Sequence, residues 1–331
     1  MTTTEERPTV QPAPRRRGPQ HRRRRPRGWW RKPALVVGAL VVAVVVLMVV
    51  VVHGSGGGTG SVADPAQAAS TSGVSLDPAA FATGACVAFS PTHGARNRTV
   101  FLDAGHGGID PGAVGTTQSG APVREAAVTL PVALDAATLL RADGYRVVLS
   151  RTRSTTVLKP GPGDLSSTGG VLTQQGGHDD VVARDACANL AKATVLVGIS
   201  FATATSSTGA GSTVAYDIER HFSGENRQLA DLLENDVVVD LHDQGWAIPD
   251  DGVVTDAAMT TTDTHYHHLL LLGPTARAWH PVPSQMPGAL IEPLYLSDPS
   301  EATMAASGAG QRAIARGIAQ AAQQYLASAR S

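Results

Sequence analysis

The chain has 331 residues, 42% of them hydrophobic and 17% charged, with a net charge of −1, which is enough material for one or two domains with a sizeable core. The near-neutral total hides an asymmetry: 11 of the 27 Lys/Arg but only 2 of the 28 Asp/Glu precede Pro33, so 16 basic and 26 acidic residues remain beyond it, a balance of about −10. That balance argues against nucleic acid as a partner of the main body.

Residues 1–32 are rich in Pro and Arg and are expected to form a disordered, basic, cytoplasmic tail. Ala34 to Val52 carries no charge; as a helix it would be about 28 Å long, close to the hydrocarbon thickness of a bilayer. Residues 33–52 therefore read as a transmembrane anchor. Trp29 and Trp30 fall where an interfacial belt belongs, and Arg22 to Arg25, Arg27, Arg31 and Lys32 lie on one side only, so that side is expected to be cytoplasmic. The competing reading is a cleaved signal peptide cut near Ala66 to Ala69; its charged region would be unusually long, and its apolar region exceeds the usual range of about 7–15 residues. Either way the chain beyond His53 faces outward, and the protein is expected at the cell membrane. Residues 53–80, rich in Gly, Ser and Ala, read as a flexible tether, and residues 81–331 as one domain without internal repeats. Cys86 and Cys187 are the only cysteines; an even count in an exported chain suggests one disulfide, against two separate buried thiols.

Strand and helix signals then alternate. Val100 to Leu102 is a first strand, stopped by the turn chemistry of Asp103-Ala104-Gly105. Thr129 is placed to cap a helix with Pro131 in its first turn, and Leu130, Ala133, Leu134, Ala137 and Leu140 share one face. Gly144 ends that helix, and Tyr145 to Leu149 is a second strand. Lys159 to His178 is aperiodic and reads as a long loop bordering a site, a lid or a decoration. Val181 to Ala193 reads as a helix, Val195 to Ser200 and Thr213 to Tyr216 as strands, Gln228 to Leu241 as a helix, and Leu269 to Leu272 and Ala289 to Leu296 as strands. Asp298-Pro299-Ser300-Glu301 has the form of a capping box, and the last helix has Ile314, Ile318, Ala321, Ala322 and Tyr325 on one face. The alternation predicts an α/β fold, a mainly parallel central sheet with helices on both faces, whose ligands bind beyond the carboxyl ends of the strands.

His106 occupies that position, flanked by Gly105, Gly107 and Gly108, where a backbone without Cβ atoms lets a bulky group approach. A neutral imidazole there suits a metal; the alternative is a turn whose histidine faces water. Glu125 could share a metal with His106 or pair with Arg124 in solvent. Glu292 lies in the apolar stretch Gly288-Ala-Leu-Ile-Glu-Pro-Leu-Tyr295, where a lone charge is costly unless it is paired or functional.

Thr99-Val-Phe-Leu-Asp-Ala-Gly-His-Gly-Gly-Ile-Asp-Pro-Gly112, the Glu125 to Arg151 segment with its Gly144-Tyr145 and Ser150-Arg151, and Leu290-Ile-Glu-Pro-Leu-Tyr-Leu-Ser-Asp-Pro-Ser-Glu301 resemble, in order, three motifs of the zinc-dependent N-acetylmuramoyl-L-alanine amidases of bacterial cell-wall turnover. The resemblance covers nearly all of residues 99–327. It implies an enzyme that cleaves the amide between N-acetylmuramic acid and L-alanine in peptidoglycan by zinc-activated water, with His106 and Glu125 as zinc ligands and Glu292 as the catalytic glutamate. Zinc lowers the pKa of bound water toward about 7, and a nearby glutamate moves its proton to the leaving amine.

One departure stands out. The family's third ligand is a histidine in Ser-Ile-His-Ala-Asn, and aligned to Ile199-Ser-Phe-Ala-Thr203 it falls on Phe201, whose ring cannot ligate zinc. Leu294 also replaces a glycine, and Pro293 stiffens that strand end. The sequence therefore carries two readings: an amidase with zinc weakly held or lost, and a catalytically inactive amidase-like domain that binds peptidoglycan or a cell-wall partner. His178, His265, His267 and His268 are candidate substitutes for the missing ligand, or surface histidines.

Overall fold

The computed structural model describes residues 73–167, 170–204, 209–259 and 266–329. The expected tail and anchor, the tether up to residue 72, and His265 lie outside the described residues. No helix among the described residues is long and apolar enough to cross a membrane.

Ten strands are described: β1 (Val74–Ser75), β2 (Ala85–Phe89), β3 (Thr99–Ala104), β4 (Val114–Thr116), β5 (Pro122–Arg124), β6 (Arg146–Arg151), β7 (Val195–Ile199), β8 (Ser212–Tyr216), β9 (Asp250–Thr255) and β10 (Gly288–Glu292). The helices are α1 (Glu125–Ala142), α2 (Gln174–Leu190), α3 (Ser223–Asp243), α4 (Asp256–Met259), α5 (Pro299–Ala306) and α6 (Gly308–Ser328). Eight strands form one mainly parallel sheet in the order β1-β2-β6-β3-β7-β10-β8-β9; β4 and β5 make a separate hairpin. β6, β3, β7 and β10 run parallel, β2 is antiparallel to β6, and β8 pairs antiparallel with β10 and parallel with β9.

The central strands are buried on both faces, and period-two alternation sorts their side chains into two cores. Val100 and Leu102 of β3 and Val195, Val197 and Ile199 of β7 join one cluster with Val132 and Leu140 of α1, Leu229 of α3 and Ile314 and Ile318 of α6. Phe101 and Leu196 face the other way, toward Ala188 of α2 and Leu271, Leu272 and Met286. That second face is covered by one long helix and by irregular chain.

Several elements depart from the sequence expectation. β1 begins at Val74, inside the segment assigned to the tether, and pairs with β2. α1 starts four residues before Thr129, so Pro131 lies inside it; the Thr129 hydroxyl donates to the Gly105 carbonyl instead of capping. α2 starts at Gln174 with Thr173 as its N-cap, so the loop from Lys159 is shorter than predicted and His178 is helical. Leu269 to Leu272 is a turn rather than a strand; its leucines plug the second face. β10 stops at Glu292, because Pro293 has no N–H to continue the ladder. At α5, Asp298 accepts from the Ser300 and Glu301 amides as a cap should, but the Glu301 carboxylate accepts from Gly211 and Tyr295 and does not close the box.

Cys86 of β2 and Cys187 of α2, 101 positions apart in sequence, form a disulfide, with Cα atoms 5.6 Å apart. Closing a loop of that length in the unfolded chain is worth about 4–5 kcal/mol in the chain-entropy picture. The double variant Cys86→Ala/Cys187→Ala is therefore expected to lose about 3–5 kcal/mol of unfolding free energy, read as a lower urea midpoint; an unchanged midpoint would refute this role.

Candidate active site at the carboxyl edge of the sheet

Strand register assembles the site. Ile199 of β7 pairs with Ala104 of β3 on one side and with Ile291 of β10 on the other. One residue further on, Gly105, Ser200 and Glu292 stand side by side where the strands end. The Gly105 amide donates to the Ile199 carbonyl, and the Ser200 amide to the Ile291 carbonyl, both at 2.9–3.0 Å. His106 follows Gly105, and Glu125 opens α1.

His106 has φ +58°, in the left-handed region, a conformation few non-glycine residues hold without support. The support is visible. Arg184 of α2 donates to the His106 carbonyl (2.9 Å), to the Ala104 carbonyl (2.9 Å), and to the carboxylates of Asp103 and Asp180 (both 2.6 Å). Arg151 at the end of β6 is fully buried and donates to the carbonyls of Ala104, Gly105 and Ala126 and to the Thr129 hydroxyl, at 2.9–3.0 Å. Burial brings its guanidinium down to about 10, with the Arg184 charge acting in the same sense. Gly112, at φ +63°, lies against the site itself: a Cβ there would come within 2.6 Å of the His106 ring and 2.7 Å of Glu125 Oε2.

The His106 ring bridges two carboxylates. Its Nδ1 lies 2.8 Å from Asp110 Oδ2, and its Nε2 lies 3.1 Å from Glu125 Oε2. Burial opposes the imidazolium, but the hydrogen bonds to Asp110 and Glu125 outweigh it and raise His106 to about 10. Burial works against the Glu125 carboxylate too, yet His106, Ser200 and the Ala113 amide hold it below its ordinary range. Both Glu125 oxygens are engaged. Oε2 accepts from the Ala113 amide at 2.9 Å; Oε1 accepts from the Phe201 amide at 2.8 Å and from the Ser200 hydroxyl in a short hydrogen bond. Glu292 differs. Among the described residues no hydrogen-bond donor reaches its carboxylate, and burial, with the Glu125 charge adding to it, raises it to about 7.

The three residues expected to form the site do converge. Phe201, the aligned ligand position, is 2% exposed and packs in the helical core, continuing the alternation Val195, Val197, Ile199, while Ser200 falls on the cleft face. The strand-end side chain that meets Glu125 is thus the Ser200 hydroxyl. The sequence gives no sign of Arg184, and Asp110 and Arg151 stand in it only as parts of motifs, the Asp-Pro-Gly turn and the Ser150-Arg151 strand end, without a role. The other histidines lie elsewhere. His178 is held by the Asp179 carboxylate and the Trp279 carbonyl, His267 is exposed, and His268 faces Asp217 and Asp256.

The donor set decides how well a zinc ion suits this site. His106 Nε2 and Glu125 Oε2 are spaced as two ligands of one metal would be, and Asp110 fixes the ring through Nδ1 as outer carboxylates do at zinc histidines. Among the described residues, no third His, Cys, Asp or Glu completes a ligand set with them, and the neutral hydroxyl of Ser200 is no substitute. A proton on Nε2 competes for the same lone pair. These residues supply two ligands of a three-ligand zinc centre. Beside them opens a cleft of about 320 Å³, lined by His106, Asp110, Ser200, Leu269 and Leu271 among others.

Residues 100–324 match the N-acetylmuramoyl-L-alanine amidase family. Among solved structures, the chain is similar to an N-acetylmuramoyl-L-alanine amidase from Clostridium difficile 630 (24% identity over 70% of this chain and 97% of that one, TM-score 0.50). It is also similar to the CwlD amidase of Clostridioides difficile, solved in complex with the GerS lipoprotein (21% identity over 70% of this chain and all of that one, TM-score 0.50). At these identities the likeness establishes the fold. No curated protein matches the chain.

The state of Glu292 sets a pH dependence of stability. Below the ordinary value of 4.5 the carboxyl is protonated folded and unfolded alike; as pH rises to about 7 the unfolded chain ionises freely and the folded one does not, so stability falls across that window. Glu292→Gln is expected to raise the unfolding free energy by about 2 kcal/mol at pH 8 and to leave it unchanged at pH 4, measured by urea unfolding at both pH values. Equal effects at the two would show that the carboxyl is not perturbed.

Proposed function

The chain belongs to the N-acetylmuramoyl-L-alanine amidase family, and on that premise we propose that it acts on peptidoglycan outside the cell membrane, at the amide between N-acetylmuramic acid and L-alanine. The observation that carries this reading is the meeting of His106, Glu125 and Glu292 at one strand edge, with Glu292 raised to about 7 and no donor on its carboxylate among the described residues. A base of that pKa is matched to neutral pH. Glu292 takes the proton of the water that adds to the amide carbonyl and delivers it to the departing nitrogen. Asp110 orients His106 through Nδ1, and Arg184 and Arg151 hold the loop that carries it. The cleft beside His106, walled by Leu269 and Leu271, receives the stem of the substrate.

His106 and Glu125 are the residues that would hold a zinc ion, whose chemistry in this family is to polarise the carbonyl and acidify water. Among the described residues no third ligand joins them, and no step here depends on the ion. We assign the uncharged stretch Ala34 to Val52 to a single membrane span with residues 1–32 cytoplasmic, which places the domain against the wall.

A second reading has its own support. Both Glu125 oxygens are satisfied by protein donors and no third ligand stands among the described residues, an arrangement that suits a domain binding peptidoglycan without cutting it. The two separate on intact sacculi. The hydrolase releases stem peptides with a free L-alanine amine, at a rate that rises with pH through about 7 as Glu292 ionises, and Glu292→Gln lowers that rate by about 10²–10⁴-fold. A chain that sediments with sacculi and releases nothing is the binding domain. Ser200→His is expected to tighten zinc at least about tenfold by restoring a third ligand, an imidazole nitrogen, read by competition with a chromogenic chelator; unchanged affinity would show that Ser200 does not stand at the ligand position.

A further inference from the structure

A second cluster of metal-ligating groups lies at the other end of the sheet. β8 runs antiparallel to β10, with Thr213 opposite Glu292, so Asp217 lies four residues beyond, about 13 Å along the strand, at the end where β10 begins. β8 and β9 are parallel neighbours, and their last registered pair is Tyr216 with Thr255. The next two residues, Asp217 and Asp256, are thereby set side by side, both with no solvent exposure. His268, from the chain that covers the second face, completes the group. Its Nδ1 is 3.0 Å from Asp217 Oδ2 and 3.1 Å from Asp256 Oδ2.

We propose that Asp217, Asp256 and His268 bind one divalent first-row transition metal of the zinc class, at a site separate from the His106–Glu125–Glu292 centre. All three ligand atoms lie within 4.8 Å of one another. Two closest separations of 3.0 and 3.1 Å suit ligands sharing an ion with bonds of about 2.0–2.2 Å. The second observation is independent of the clustering. Among the described residues, buried Asp217 Oδ2 makes no hydrogen bond, whereas Oδ1 of the same carboxylate accepts the amides of Glu219 and Arg220, each at 2.8 Å. The carboxylate is thus clamped through one oxygen while the other points bare into the cluster, beside a His268 nitrogen whose hydrogen bonding is to Asp256. Such an atom costs free energy unless something fills its lone pair.

The surroundings match a metal histidine. A metal here would take the place of the Nδ1 proton, and the Glu219 carboxylate, 3.7 Å from Nε2, is then the outer partner of the proton that stays on Nε2. The Arg220 guanidinium spends its hydrogen bonds on the carbonyls of Leu272, Gly273 and Ser284. One imidazole with two carboxylates selects a borderline ion; calcium and magnesium prefer all-oxygen shells. Asp256 Oδ2 also accepts the Leu269 amide at 3.0 Å, so a metal here would tie the leucine turn that walls the catalytic cleft to the ends of β8 and β9.

The test uses the full-length chain, stripped with chelator, together with Asp217→Asn, His268→Gln and, to silence the other centre, His106→Gln. The His106→Gln protein is expected to take up one equivalent of Zn2+ on dialysis and to melt about 5–10 °C higher with excess Zn2+. In the His106→Gln background, Asp217→Asn and His268→Gln should each weaken that uptake at least 100-fold and abolish the shift. Should either ligand variant fail to fold, Co2+ added to the His106→Gln protein gives visible bands of tetrahedral intensity if the site is real. Lack of uptake and of Co2+ bands by His106→Gln, an undiminished shift in the ligand variants, or an equal shift with Ca2+ or Mg2+ would overturn the proposal. None of these readouts depends on amidase activity.

Discussion

Two buried guanidiniums and three consecutive carbonyls hold this molecule's chemistry in place. The carbonyls of Ala104, Gly105 and His106 are each met by Arg151 or Arg184, the first of them by both. A loop leaving a central strand normally turns such groups toward water. Here they are turned inward, and the inward turn is what lets His106 take its left-handed conformation and present Nε2 to Glu125. The cost is two buried cations. Arg184 meets it with Asp103 and Asp180; Arg151 has only neutral oxygens, and its lowered pKa records that. Removing one partner from a buried pair such as Arg184 with Asp103 typically costs about 3–5 kcal/mol, so Arg184 is as necessary to the site as the residues that face the cleft.

The parallel core supplies the rest. β3, β7 and β10 end at one level, so residues 105, 200 and 292, distant in sequence, become neighbours without any loop having to reach for another. This makes the identity of each strand-end residue decisive. A shift of one position exchanges a side chain in the cleft for one in the core, which is the difference between Ser200 and Phe201. Read as an aligned string, Phe201 fell on the ligand position; read as alternation along β7, it belongs with Val195, Val197 and Ile199.

That contrast also describes what the sequence made legible. His106 and Glu292 could be found because glycine-rich turns and a charge in an apolar run are local signals, Glu125 only through the family resemblance, and Ile314, Ile318 and Tyr325 because a helical face repeats. The flanking strands were harder. β9 opens with Asp250-Asp251-Gly252 and is half exposed, so it carries no alternation to read, and β1 is two residues long. The Leu269 to Leu272 run has strand composition but serves as a plug over Gly198, where a Cβ would collide with Leu271. Thr129 looked like a cap because it precedes Pro131; its partners, Arg151 and the Gly105 carbonyl, are more than twenty residues away and invisible to a local rule. Asp217, Asp256 and His268 are brought together by the parallel pairing of β8 with β9, strands without a shared motif.

Cys187 lies one helical turn beyond Arg184 on α2, and its bond to Cys86 fastens that helix to β2 at the sheet's flank. The arginine that supports the His106 carbonyl therefore projects from a helix riveted a single turn away. A chain kept among reducing thiols would have the same arginine on an unriveted helix, held by packing alone. Formation of this disulfide and support of the His106 loop are in this way coupled through a single turn of α2.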